Sequence, residues 1–464
     1  MNRKRLFFDQ FWIRIFSAAI FLIFIFFAGC SGEVIFDTIF PRESPSSTNE
    51  PADDLNVTAT PPASETLTGE GNQTVATTPE ATQEFTVEKN ELVVWVPEEF
   101  SNLVDSPAAE IFNQRIADFE RQNPGTVVVL RVKASSGSGG ILDSLRSTKV
   151  AATGALPHIA LLSRVDMENA EGLALLLPVE EYSHDTSPST YFSYAREISE
   201  LDGIMYGFPF VGDALVGIAD ESMSDIDVPT WDEVRARKIP LYFAANSPQA
   251  TFFISQYQST NGLLVDEQGH GTFVDENFLT VLNTFDQNLK KGIFQETFNA
   301  LSTNEDVWTQ FRNGNARWVI NWYSKAMQSD LSGLQIFQIP SLDSEPYVSA
   351  KGWLWTIVDR DAEVNETILE FVTFFSDARF LADYSQAAGF LPVLPPSLEI
   401  YEDGDTIVQL NTILTASHAL PANDLILELG PVFRDATLMV MSQDYSMEEI
   451  VEISQRQIEA LQTK

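Results

Sequence analysis

The sequence predicts an α/β protein of two lobes, each a mostly parallel sheet wrapped by helices. Short apolar runs alternate with amphipathic stretches of helical period from residue 91 onward, the pattern of strands joined by covering helices. The turns between them are short and marked by Gly, Pro and Asn. Residues 91 to 464 exceed what one hydrophobic core usually holds, so two are expected.

The chain begins with a basic segment, Arg3-Lys4-Arg5, followed by an almost unbroken apolar run from Ile15 to Ala28. That is the layout of a secretion signal, and the run falls short of the ~20 residues of a comfortable transmembrane helix. The only cysteine, Cys30, follows directly in Phe27-Ala28-Gly29-Cys30-Ser31. This ending resembles the lipobox of bacterial lipoproteins, with Phe27 where Leu is usual. The resemblance implies cleavage after residue 29 and lipid on the Cys30 thiol, which holds a protein at a membrane surface without a span. Residues 30 to 90 are rich in Ser, Thr, Pro and Glu and lack any hydrophobic period, so they read as a disordered, semi-extended tether.

At Leu92 the texture changes. Leu92 to Val96 reads as a buried strand, and Ser106 as the N-cap of a helix with Pro107 in its first position. Apolar residues from Ala108 to Phe119 keep helical spacing until Asn123-Pro124-Gly125. Val127 to Leu130 is a second strand, Ile141 to Ala152 a helix, and Ile159 to Leu162 a third strand. Further on, Thr230-Trp231-Asp232-Glu233 is a capping box. Leu241 to Ala244 is strand-like, and Phe278 to Leu289 forms an amphipathic helix ending at Gly292. A helix over Val307 to Phe311 stops at Gly314, and strands follow at Trp318 to Ile320 and Leu354 to Val358. Ile368 to Phe375 and Met447 to Leu461 are helices.

The net charge is −38, a surface that repels nucleic acid and other polyanions. The four histidines have no metal-ligand spacing, and neither a Gly-x-Ser-x-Gly elbow nor a Rossmann fingerprint occurs. No cofactor is expected. A glycosidase needs only two carboxylates, which leaves a surface glycan-processing hydrolase as an alternative to a binding protein.

Several segments together resemble the family 1 extracellular solute-binding proteins, the maltose-binding type that serves ABC importers. They are Asp118-Phe119-Glu120-Arg121-Gln122-Asn123-Pro124-Gly125; Gly154-Ala155-Leu156-Pro157-His158-Ile159, with His158 where Asp is common; Glu171-Gly172-Leu173 leading to Leu177-Pro178-Val179; Gly203-Ile204-Met205-Tyr206-Gly207-Phe208-Pro209; Pro229-Thr230-Trp231-Asp232-Glu233; and Phe311 to Ala316, Gly352, and Gly389-Phe390-Leu391-Pro392. The resemblance implies a type II periplasmic-binding-protein-like fold with ligand in a cleft between the lobes. It places lobe 1 in residues 91–211 plus 343–386 and lobe 2 in 212–342 plus 387–464. Crossings are expected near 211–213, 341–347 and 381–391, with closure as a hinge motion. It further implies a receptor that hands its solute to permease subunits; a ligand sensor for a membrane kinase would share the fold. The acidic surface argues against phosphorylated sugars and the possible aromatic platforms argue for a neutral mono- or oligosaccharide, and a monomer is expected.

Sugar sites pair aromatic platforms with directional polar groups. Trp231, Trp308, Trp318 and Trp355 read as core. Trp322 and Tyr323 follow a strand at its carboxyl end, where open α/β sheets place ligands, and Trp353 follows Gly352. By family position, Glu98, Arg164 and Asp213 are further candidates, the last with a hinge hydrogen bond as the alternative. A guanidinium such as that of Arg164 could fork two hydroxyls. The loop Ser135 to Gly140 lacks the Lys of a phosphate loop and adds Ser136 as a candidate at the cleft mouth.

Overall fold

The computed structural model describes residues 90 to 462 except 102, 104, 180–190, 224–229, 343–345 and 361–365. The signal segment, Cys30 and nearly all of the tether lie outside the described residues.

The chain runs β1 (Asn90–Pro97), α1 (Pro107–Gln122), β2 (Thr126–Lys133), α2 (Ile141–Ala151), β3 (Ile159–Ser163), α3 (Arg164–Gly172) and α4 (Ser193–Ser199). A hairpin of β4 (Glu200–Leu201) and β5 (Ile204–Met205) leads into β6 (Gly207–Ala219). Next come α5 (Trp231–Arg237), α6 (Thr251–Gln258), α7 (Asp275–Lys290), α8 (Asn304–Arg312), β7 (Trp318–Trp322), α9 (Tyr323–Met327), β8 (Gln335–Phe337) and β9 (Val348–Ile357). The remainder is α10 (Glu366–Phe374), α11 (Ala378–Ala388), α12 (Pro395–Leu398), α13 (Gly404–Thr415), β10 (Ser417–Ala419), α14 (Asn423–Ser442) and α15 (Met447–Gln462).

The helix starts follow the capping chemistry of the sequence. The Ser106 side chain accepts from the Ala109 N–H, and the Thr230–Glu233 capping box is closed in both directions. Apart from the β4–β5 hairpin, the described strands form one mixed sheet in the order β2-β1-β3-β9-β6-β7, with β10 on β9 and β8 on β6. β1 pairs in parallel with β2 and β3, as strand–helix–strand alternation requires.

β6 and β9 add antiparallel ladders. β6 pairs with β9 over Gly207–Ala214, then with β7 over Leu215–Ala219 and with β8 over Gly217–Ala219. It is buried along its whole length and passes from one set of partners to the other at Ala214–Leu215. At this point Gly212 and Gly352 let side chains from the opposite face approach the backbone. A Cβ on Gly212 would lie 2.1 Å from the Tyr194 hydroxyl, and one on Gly352 would lie 2.5 Å from Ile198.

The segment expected as a strand at Leu241–Ala244 forms only a bridge between Tyr242 and Val319. Pro240 ahead of it supplies no N–H, and the chain turns at Ser247-Pro248. Trp231, Trp308, Trp318 and Trp355 are all buried. Trp355 lies among Phe112, Phe210, Phe371 and Phe375, with ring centroids 5.1 to 6.3 Å away. Among the described residues no helix is long and apolar enough to cross a membrane.

Candidate functional site

Strand register places one group of side chains on a single sheet face at the hand-over of β6. Lys351 and Trp353 are two residues apart on β9 and therefore share a face. Trp353 is opposite Ser163 of β3 on one side and Val211 of β6 on the other, and Lys351 is opposite Asp213. Two residues further along β6, Leu215 is opposite Trp322, the last residue of β7. The resulting row is Ser163, Trp353, Lys351 with Asp213, then Trp322.

Trp353 is half-buried against Phe100 and Phe390, with centroids 5.3 and 5.0 Å away. Phe100 belongs to the short helical turn Glu98–Phe100, on which Glu98 is exposed. The Lys351 ammonium lies 4.0 Å from the Trp322 ring centroid and 3.7 Å from Asp213 Oδ2. Asp213 is fully buried; its carboxylate accepts from the Ser324 N–H at 3.0 Å and the Ser324 hydroxyl at 2.7 Å. Burial pushes the Asp213 carboxyl up, against the pull of Lys351 and of the Ser324 and Ala214 donors. Asp213 thereby ties β6 to the first turn of α9. Tyr323, next to Trp322, is buried, and burial together with Tyr401 and Asp213 raises its hydroxyl pKa.

A cavity of about 820 Å³ adjoins the Ser163 end of this row, between the 135–140 loop and α3. Ser136, Asp143, Arg146, Asp166 and Glu168 line it. Asp166 accepts from the Ser163 hydroxyl at 2.8 Å. Burial raises the Asp166 carboxyl, the Ser163 bond opposes this, and the charge of Glu99 adds to the rise. A second cavity of about 380 Å³ adjoins the Trp322 end. Its walls include Leu215 and Ile320, which share the face of Trp322, and Ser247, Gln249 and Asn304 near the starts of α6 and α8.

Arg164 is placed differently. It lies in the first turn of α3 and donates to Glu168 at 2.6 Å and to the carbonyls of Glu197 and Glu200 at 2.7 and 2.6 Å. Its donors therefore brace α3 against the end of α4. Lys351 and the Ser247–Gln249 turn escaped the reading of the sequence. The alternation Lys351-Gly352-Trp353 carried the signal for Lys351, since it puts the lysine on the tryptophan's face.

A family model described as bacterial extracellular solute-binding protein matches residues 105–379, and the chain belongs to that family. No curated protein matches it in sequence. Its fold is that of two-lobed binding proteins of known structure. The sugar-binding protein MalE from Xanthomonas citri aligns with a TM-score of 0.65 and 18% identity, over 81% of this chain and 98% of that one. The cyclic α-maltosyl-1,6-maltose binding protein of Arthrobacter globiformis gives 0.65 and 15%, over 80% and 98%. An ABC transporter solute-binding protein from Thermotoga lettingae, bound to α-D-tagatose, gives 0.56 and 15%, over 80% and 99%.

Proposed function

We propose that the protein is a lipid-anchored extracytoplasmic receptor that captures a neutral carbohydrate between its lobes and delivers it to the permease of an ABC importer. The observation that carries this reading is the row of Trp353, Lys351, Asp213 and Trp322 where β6 changes partners. Two indoles supply faces for sugar C–H groups, with polar groups set between them. The flanking cavities give room for more than one sugar ring, with Ser136 and Asp166 on one side and Ser247 and Gln249 on the other; Glu98, exposed on the turn that carries Phe100, is a further candidate contact. Neighbours of the same fold that bind maltodextrins and a ketose support a saccharide as the ligand.

In this reading lobe 1 comprises residues 91–211 plus 343–386 and lobe 2 comprises 212–342 plus 387–464. The hinge then passes through β6 beside Asp213, so that bond network links ligand to lobe closure. Arg164 and Tyr323 act as supports behind the site. Lipid on Cys30 and the tether keep a receptor without its own span close to its permease.

A thermal-shift screen of the full chain against neutral mono- and oligosaccharides tests the proposal. Ligand at a hundred times its Kd stabilises the native state by ~2.7 kcal/mol, so a bound sugar raises the melting temperature. A flat response to every neutral sugar would defeat the reading. The Cys30→Ala chain should leave the membrane fraction with its ligand affinity unchanged.

A further inference from the structure

Lys351 carries a charge that is neutralised but not hydrogen-bonded. Its Nζ lies 3.7 Å from Asp213 Oδ2, beyond hydrogen-bond distance, and the Asp213 oxygens are already held by Ser324. Its other close neighbours are ring faces, Trp322 at 4.0 Å and Trp353 at 5.8 Å. An ammonium has three N–H donors and no acceptor capacity. Among the described residues none of these donors has an acceptor within bonding distance, and the side chain is 35% exposed. The ammonium lies near both indole rings, closer to Trp322 than to Trp353.

We propose that Lys351 is a specificity-determining residue, donating to hydroxyl or ring oxygens of a neutral sugar and rejecting amino sugars. This rests on the carbohydrate reading above and assigns the site a preference that reading lacks. A hydroxyl accepts from the ammonium; a ligand ammonium cannot, and its charge is repelled. A uronate gains one contact with Lys351. It also meets Asp213 behind that lysine and the carboxylates Glu98, Glu99 and Asp166 at the ends of β1 and β3. A uronate must therefore be held among like charges, whereas a neutral sugar takes the Lys351 donors without that cost.

The test titrates the full chain with glucose, maltose and maltotriose, and with glucosamine and glucuronate, following indole emission and binding heat. The expected wild-type result is a neutral sugar bound at least tenfold tighter than either charged one. Lys351→Met should weaken the neutral sugar at least tenfold and bring its ratio to glucosamine within threefold of unity. Lys351→Arg should retain the preference. If Lys351→Met does not fold, because Asp213 is left buried without its counter-charge, the Asp213→Asn/Lys351→Met chain is titrated in its place. A wild-type chain that binds no neutral sugar overturns the carbohydrate reading and this inference together. A neutral sugar bound equally by wild type and Lys351→Met, or an unchanged glucosamine ratio, overturns the inference alone.

Discussion

Acidification should weaken the fold through His158. This side chain sits between α2 and β3, and its Nδ1 accepts from the Val93 N–H at 2.9 Å. Burial and the charge of Arg360 push its pKa down to about 4, and the Nδ1 lone pair is already engaged by the Val93 N–H, which favours the neutral ring. The folded chain therefore resists protonation here while the unfolded chain takes up its proton near pH 6.5. Stability is intact above pH ~6.5 and is lost as the pH falls from there towards 4. The full shift corresponds to ~3 kcal/mol. His158 is only half-buried, and solvent screening reduces the expected loss to ~1–2 kcal/mol. The assay is urea unfolding of wild type and His158→Asn at pH 7.5 and pH 5. Asn Oδ1 stands on the same carbon as the imidazole Nδ1, so it can accept the Val93 N–H without titrating. Wild type should lose ~1–2 kcal/mol more than the variant between the two pH values. Equal losses would refute the reasoning. His158→Asp should go further and stabilise the fold at pH 7.5, because it sets a carboxylate near Arg360, whose buried Nε and Nη1 have no hydrogen-bond partner among the described residues.

Trp355→Ala empties the most aromatic part of the core and should cost ~3–5 kcal/mol in chemical denaturation; a cost below 1 kcal/mol would mean the cluster is not packed as described. His418 and Glu197 join β10 to α4, with the Tyr347 ring stacked 4.9 Å from the imidazole. The Glu197 bond raises the His418 pKa against burial, and that contribution is whole below pH ~6.5 and lost as the pH climbs through the raised value. Burial works against Glu197, but bonds from His418 and the Ala419 N–H hold it below its ordinary value, so its contribution fades only as the pH falls through that lowered value. Both groups are part-exposed, so His418→Gln should cost no more than ~1 kcal/mol, most at about pH 5 to 6 and least above pH 8; a cost that grows with pH would contradict the pairing.

Much of the fold was legible where local chemistry acts alone. Ser106-Pro107 and the Thr230–Glu233 box set helix starts, and the Gly-stopped helices before residue 320 end where read. β6 was not legible as a strand, because Gly207, Pro209, Gly212 and Asp213 all count against one. Tertiary packing overrides that local preference: the ladder shifts register between Pro209 and Val211, and Gly212 accommodates Tyr194. α14 escaped for a similar reason. Gly430 and Pro431 look like a helix stop, yet Pro431 lies inside the helix and Gly430 lets the helix approach the Pro248 carbonyl. In the row where β6 changes partners, the positions of Trp322 and Trp353 could be read from strand ends and a preceding glycine. The closeness of Lys351 to Trp322 depends on β6 lying between β9 and β7, and no local pattern encodes that order.

The central claim is one-to-one capture of a neutral sugar without chemistry. Its most direct test is calorimetric titration of the full chain with maltotriose or the best sugar of the screen, followed by chromatography of the recovered ligand. The account predicts one sugar per chain, a shift in indole emission as Trp322 and Trp353 are covered, and intact saccharide afterwards. Hydrolysed product, or the same affinity and emission change in the Trp353→Ala chain, would contradict it.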